Sequence, residues 1–321
     1  EAGSAPVHEA LARGLVIAAA SKCGDVRGAG EAFGEPIRML EQGGQTTRAG
    51  AAMVAQARCF LAEGEVAKAL AVFERAAPVL EDGTMAGSLS ALRIERARLD
   101  ITRGAVGAAS RGLSAAGREL DALPEPSRYA ERVVEALLAT VTGEHASAQA
   151  LMLEALDEVE ATGRVSDVAD VVAEAAHLAV LDLPPDAFTS RIETFLASRE
   201  GWPAPLALGL RVLKDRDPAA ARDARIGSRQ AEFLVVADLL EARALLDAGR
   251  VEAAEPLLDA LARGARRLDH VWLELAGMRV TRRAGLAMDE ARARALTRLL
   301  AERNPDRTSD TRAWLAYWLE D

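Results

Sequence analysis

Ala62-Glu63-Gly64-Glu65-Val66-Ala67-Lys68-Ala69, followed by Phe73 and Ala76, is the stretch that decides the fold. Counted from Gly64 it holds an alanine five residues on, a bulky residue four beyond that, and a second alanine after three more. Three other segments keep this frame. Lys22-Cys23-Gly24-Asp25-Val26-Arg27-Gly28-Ala29 leads to Phe33, Gly104 leads to Ala109, Leu113 and Ala116, and Gly143 leads to Ala148, Met152 and Ala155. The four glycines stand 40, 40 and 39 residues apart. The frame returns with Gly249, Ala254 and Leu258, Ala187 and Ala220 keep its spacing alone, and a last unit centres on Ala291.

Each unit reads as a helical hairpin. Met53, Ala57, Phe60 and Leu61 recur at helical spacing and give one apolar face before Gly64. The glycine supplies a left-handed residue that ends this helix. A second helix then carries Ala69, Phe73, Ala76 and Leu80, its alanines letting the two backbones approach. A single hairpin cannot bury its face, so neighbours stack into a continuous core. The 321 residues hold about eight such units.

Composition agrees. Half the chain is apolar, only 4% is aromatic, and 69 residues are Ala. Ala is the best helix former, whereas strands favour β-branched and aromatic residues. An all-α protein is expected: an α-solenoid over residues 1–321, regular over 8–182, irregular or bent over 183–229, with C-terminal repeats and a capping helix over 230–321. Pro124 and Pro126 mark one loop, and Gly201-Trp202-Pro203-Ala204-Pro205 is the clearest interruption.

With 49 acidic and 39 basic residues the net charge is −10. Nucleic-acid binding rests on neutralising phosphates, so it is not expected. No apolar run approaches the ~20 residues of a membrane span. Cys23 and Cys59 form no metal spacing and read as reduced core residues, which suits the cytoplasm. The chain begins at Glu1 without Met or a signal-peptide pattern, which reads as a piece of a longer protein with a further domain before it. Arg supplies 36 of the 39 basic residues, a skew that looks like a GC-rich bacterial genome.

The Gly–Ala–bulky–Ala frame resembles the second half of a tetratricopeptide repeat. The first half matches in places. A small residue seven before the glycine is met by Ala57, Ala97, Ala136 and Ala242, and a bulky one four before it by Phe60 and Leu245. The early Trp of that family is absent or replaced by Met53, its Pro after the second helix is mostly missing, and the period of about 40 exceeds the family's 34. The resemblance implies a right-handed superhelix like the divergent, extended arrays of large bacterial signalling proteins, where such segments follow kinase, ATPase or transcription-regulator modules.

Enzyme signatures are absent. There is no Walker loop and no G-x-S-x-G elbow. Gly28-Ala29-Gly30 lies within a hairpin, not after a strand, and is not a cofactor loop. His8, His145, His177 and His270 are far apart and none has a zinc-spaced partner, so each reads as structural or solvated. No metal, cofactor or catalysis is expected.

Six residues before the aligned glycine stand Arg58, Arg98 and Arg243. In the family this position faces the concave groove, so the three arginines are the candidate binding residues, with bidentate donors for carboxylates. The expected function is a scaffold that binds a protein or peptide. The alternative is a sensor of a small ligand that regulates an attached domain, its pocket lined by Trp202 and Trp272. The terminal Trp314, Tyr317 and Trp318 read as a hydrophobic cap, or as a surface for self-association.

Overall fold

Alanine-rich sequence with 3.6-residue apolar periodicity has helix as its one way to bury apolar surface. In a computed structural model every regular element among the described residues is helical. The structure describes residues 5–22, 25–83, 85–181, 186–197, 209 and 231–319. The helices are α1 (Ala5–Lys22), α2 (Ala29–Ala32), α3 (Gly34–Gln42), α4 (Thr46–Glu63), α5 (Val66–Glu81), α6 (Ala86–Thr102), α7 (Val106–Asp121) and α8 (Tyr129–Val141). They continue with α9 (His145–Thr162), α10 (Val165–Val180), α11 (Asp186–Leu196), α12 (Ala231–Asp247), α13 (Val251–Arg267), α14 (Val271–Arg283), α15 (Glu290–Arg303) and α16 (Thr308–Leu319). None of them is long and apolar enough to cross a membrane.

The hairpin frame is visible as geometry. Gly64, Gly104, Gly143 and Gly249 have φ of 81°, 82°, 85° and 71°. At each, the next amide turns back to the carbonyl five residues earlier: Glu65 to Phe60, Ala105 to Asp100, Glu144 to Ala139 and Arg250 to Leu245. This satisfies an orphan carbonyl of the first helix and reverses the chain. The bond recurs from His270 to Ala265, where Asp269 takes a φ of 50° without being glycine. Gly24 and Cys23 lie outside the described residues, as do Trp202, Pro203 and the side chains of Ala187 and Ala220.

The alanines of the frame are where the helices touch. Ala69, Ala109, Ala148 and Ala254 are fully buried, as are Ala76, Ala116 and Ala155 on the second helices and Ala57, Ala136 and Ala242 on the first. Phe73, Leu113, Met152 and Leu258 fill the core beside them. The last unit is shifted: Gly285, with φ of 70°, ends α14 with the same bond, from Leu286 to Thr281, but α15 starts only after the Asp289 cap, so Ala291 is exposed and Ala293 is the buried residue.

The chain forms two compact units. The first comprises Glu1–Arg96, Gly112–Ser127 and Arg229–Ala231. In it α1 packs on α3, α3 on α4, and α4 on α5. Gly30 explains its own identity there. A Cβ would lie 2.3 Å from the Phe60 ring, its N–H donates to Glu63, and its carbonyl accepts from Gln56. The Gly28-Ala29-Gly30 run is a close-packed helix start.

The second unit comprises Ala97–Arg111, Arg128–Ser228 and Glu232–Asp321. Neighbours pack here too, α8 on α9, α9 on α10, and α13 on α14. A one-dimensional stack would end with such contacts, but this unit adds others. Trp272 Nε1 donates to the Ile101 carbonyl at 2.6 Å, and Trp318 Nε1 to the Val141 carbonyl at 3.2 Å. Asn304 Nδ2 donates to the Gly104 and Leu300 carbonyls, while its Oδ1 accepts from Gly107 N–H. Asp269 receives Arg103 and Arg303. Polar bonds at the turns therefore tie α14–α16 to the region around Gly104 and Gly143.

Candidate functional site

One ionisable cluster of this second unit draws on four parts of the chain. Glu174 and His177 stand three apart on α10 and so share a face. Glu232 lies in the first turn of α12 and Arg98 near the end of α6. His270 is the N-cap of α14, its Nδ1 accepting from Leu273 N–H at 3.2 Å.

Arg98 organises the carboxylates. Its Nη2 donates to Oε2 of Glu174 at 2.9 Å and to Oε2 of Glu232 at 3.1 Å. Both Oε1 atoms then face the imidazoles. Nδ1 of His177 lies 3.1 Å from Glu174 Oε1 and 3.5 Å from Glu232 Oε1. Nε2 of His270 lies 3.4 Å from Glu232 Oε1. The two rings meet edge to face with centroids 5.3 Å apart. Both histidines and Glu174 are buried, while the Arg98 and Glu232 side chains keep 24% and 25% exposure, so the cluster reaches solvent on one side.

The electrostatics push the members apart. Burial alone would lower His177, but the Glu232 and Glu174 carboxylates outweigh it and its pKa is raised. Burial lowers His270, and Glu232 does not fully offset that. Burial would raise both carboxylates. Arg98 with His177 reverses this for Glu174, and Arg98 with both histidines holds Glu232 well below the usual carboxylate range. Among the described residues, three buried atoms of the cluster find no hydrogen-bond partner: His177 Nε2, His270 Nε2 and Glu232 Oε1. His177, Glu232 and His270 each offer one donor atom, and these lie within 4.8 Å of one another.

The three candidate arginines fare differently. Arg98 is an internal counter-ion of this cluster. Arg58 is exposed on α4 and donates through Nε to Glu95 at 2.8 Å in the first unit. Arg243 is half-buried on α12. The histidines read separately as structural include two, His177 and His270, that the fold brings together. His145 hydrogen-bonds Tyr317 through Nε2 at 2.9 Å, and His8 is exposed on α1. Trp272, expected to line a pocket, is fully buried core, ringed by Trp314 and Trp318. Those terminal indoles are themselves buried by the unit's own helices, and Arg279 lies over the Tyr317 and Trp318 rings.

Sequence reasoning missed the cluster because its only local sign is the Glu174-x-x-His177 pair. No protein-family model matches the chain, and no curated protein matches it significantly.

Proposed function

We propose that the chain is a non-catalytic helical-repeat scaffold of tetratricopeptide-like design, which holds a protein or peptide partner and serves as a regulatory segment of a larger signalling protein. The recurrence of one hairpin frame carries this reading: the same capped turn and the same buried alanines return at Gly64, Gly104, Gly143 and Gly249. Such repetition presents the same helix positions to solvent again and again, which suits an extended protein surface. Arg58 is the arginine suited to a partner. Its ion pair with Glu95 is exposed, and exposed pairs exchange at little cost.

The test is affinity purification from host lysate with wild type and Arg58→Glu, compared by quantitative mass spectrometry. A protein retained by wild type and lost from the variant, at unchanged thermal midpoint, supports the reading. Equal retention removes Arg58 from it, and no retained protein overturns it.

A second reading is favoured by the buried cluster. A module that senses a small ligand and regulates an attached kinase, ATPase or DNA-binding domain can use one titratable centre that joins distant chain segments, and Arg98, Glu174, Glu232 and His270 bring four segments to one.

A further inference from the structure

We propose that His177, Glu232 and His270, with Glu174 beside them, bind a divalent transition-metal ion of the zinc class. The proposal holds whichever of the two functional readings is right.

The spacing is that of a coordination shell. Ligands about 2.0–2.1 Å from a tetrahedral ion stand roughly 3.4 Å from each other. Glu232 Oε1 lies 3.5 Å from His177 Nδ1 and 3.4 Å from His270 Nε2, and Glu174 Oε1 is 3.1 Å from the same Nδ1. An ion among these atoms would meet the nitrogens of His177 and His270 and Oε1 of Glu232, whose donor atoms lie within 4.8 Å of one another, with Glu174 Oε1 as the fourth ligand once its hydrogen bond to His177 is exchanged. Two imidazoles and two carboxylates favour zinc and its neighbours over magnesium or calcium, which take all-oxygen shells.

The unpartnered atoms point the same way. Glu232 Oε1 and His270 Nε2 are buried and unbonded, facing each other off the hydrogen-bond direction. Buried polar atoms without partners are rare and ask for a water or an ion. Arg98 ties down Oε2 of both carboxylates, which turns both Oε1 atoms inward and fixes them as an outer-shell group does. The part-exposed edges of Arg98 and Glu232 provide entry.

Loading has a proton balance. His270 Nδ1 accepts from Leu273 N–H, so the ring proton of the metal-free protein sits on Nε2. Coordination through Nε2 moves that proton to Nδ1 and ends the Leu273 bond. His177 Nδ1 donates to Glu174 Oε1 in the metal-free protein, so coordination through Nδ1 ends that bond; its proton moves to Nε2 if the ring is neutral and goes to solvent if Nε2 already carries one. Binding therefore weakens as pH falls and uncaps α14.

The experiment uses the full chain, stripped with chelator and titrated with Zn²⁺ by calorimetry and with Co²⁺ by visible absorption. The expected result is one equivalent bound, a tetrahedral cobalt spectrum, and a weakening of at least about 100-fold in His177→Gln and in His270→Asn. His8→Ala should leave the titration unchanged. If the two histidine variants do not fold, the Leu273 amide resonance of wild type decides: it must move on adding one equivalent of Zn²⁺. No stoichiometric binding, binding that survives both substitutions, or a Leu273 amide that stays in place overturns the proposal and leaves the cluster as a metal-free ion network.

Discussion

Trp272 and Ile101 are joined by a hydrogen bond from the indole nitrogen to the main-chain carbonyl, 2.6 Å long and spanning 171 residues of sequence. Both residues are fully buried. Trp272→Phe removes this donor but leaves the Ile101 carbonyl its bond from Gly104 N–H, so it should lower unfolding stability by about 0.5–1.5 kcal/mol. Trp272→Ala also opens a cavity beside Trp314 and Trp318, and should lose about 3–5 kcal/mol. Urea denaturation followed by circular dichroism separates the two. A Trp272→Phe protein as stable as wild type would mean that the indole nitrogen contributes nothing.

Asn304 makes three main-chain bonds from a buried position. Asn304→Ala should cost about 1–3 kcal/mol, the penalty for unmatched buried groups. Asn304→Asp should do more damage despite the similar shape, because a carboxylate has no donors for the Gly104 and Leu300 carbonyls and buries a charge against them. Denaturation midpoints at pH 7 should fall in the order wild type, Asn304→Ala, Asn304→Asp. The reverse order of the two variants would show that shape outweighs the donors.

The hairpins were legible in the sequence because their causes are local. A glycine with φ near 80° and an alanine five residues later lie within one turn and one helix, so spacing alone exposes them. The ion cluster was not. Arg98 meets Glu174 across 76 residues and Glu232 across 134, and no periodicity links such positions. His270 was unreadable for the same reason, its role depending on a helix start that glycine does not mark. The contacts of α14–α16 with the Gly104 region were also hidden, since stacked repeats lead one to expect neighbours only.

Buried alanines of the frame and exposed alanines elsewhere should respond oppositely to the same change. Ala148→Leu forces extra volume between α8 and α9 and should cost about 1–3 kcal/mol. Ala67→Leu, exposed on α5, should stay within about 0.5 kcal/mol. Thermal melts of the pair distinguish alanine placed by packing from alanine supplied by genome composition. Similar melting points would remove the packing argument.

Glu135 is pushed up first by burial and then by the Glu131 carboxylate, against Arg128 and Arg132. A carboxyl raised in the folded state disfavours folding when ionised. That penalty is absent below the unfolded value, grows as pH climbs through the raised folded value, and is complete above it. Glu135→Gln should therefore melt slightly higher than wild type at pH 7, with the gap closing as pH falls toward about 4, near the ordinary Glu value. A gap that persists or widens at acid pH would contradict the sign.

Charge reversal separates two arginines that occupy the same position of the frame. Arg58→Glu breaks an exposed pair with Glu95 and should change stability by less than about 1 kcal/mol. Arg98→Glu places a third carboxylate beside Glu174 and Glu232 and removes their shared donor. Breaking a buried pair this way typically costs about 3–5 kcal/mol. Both were candidates for one groove, with Arg243, but a joint reversal would confound partner loss with unfolding, so of these two Arg58 is the one that can report on binding. Guanidinium denaturation of each single variant tests this. An Arg98→Glu protein as stable as wild type would mean that the cluster does not hold α6, α10 and α12 together.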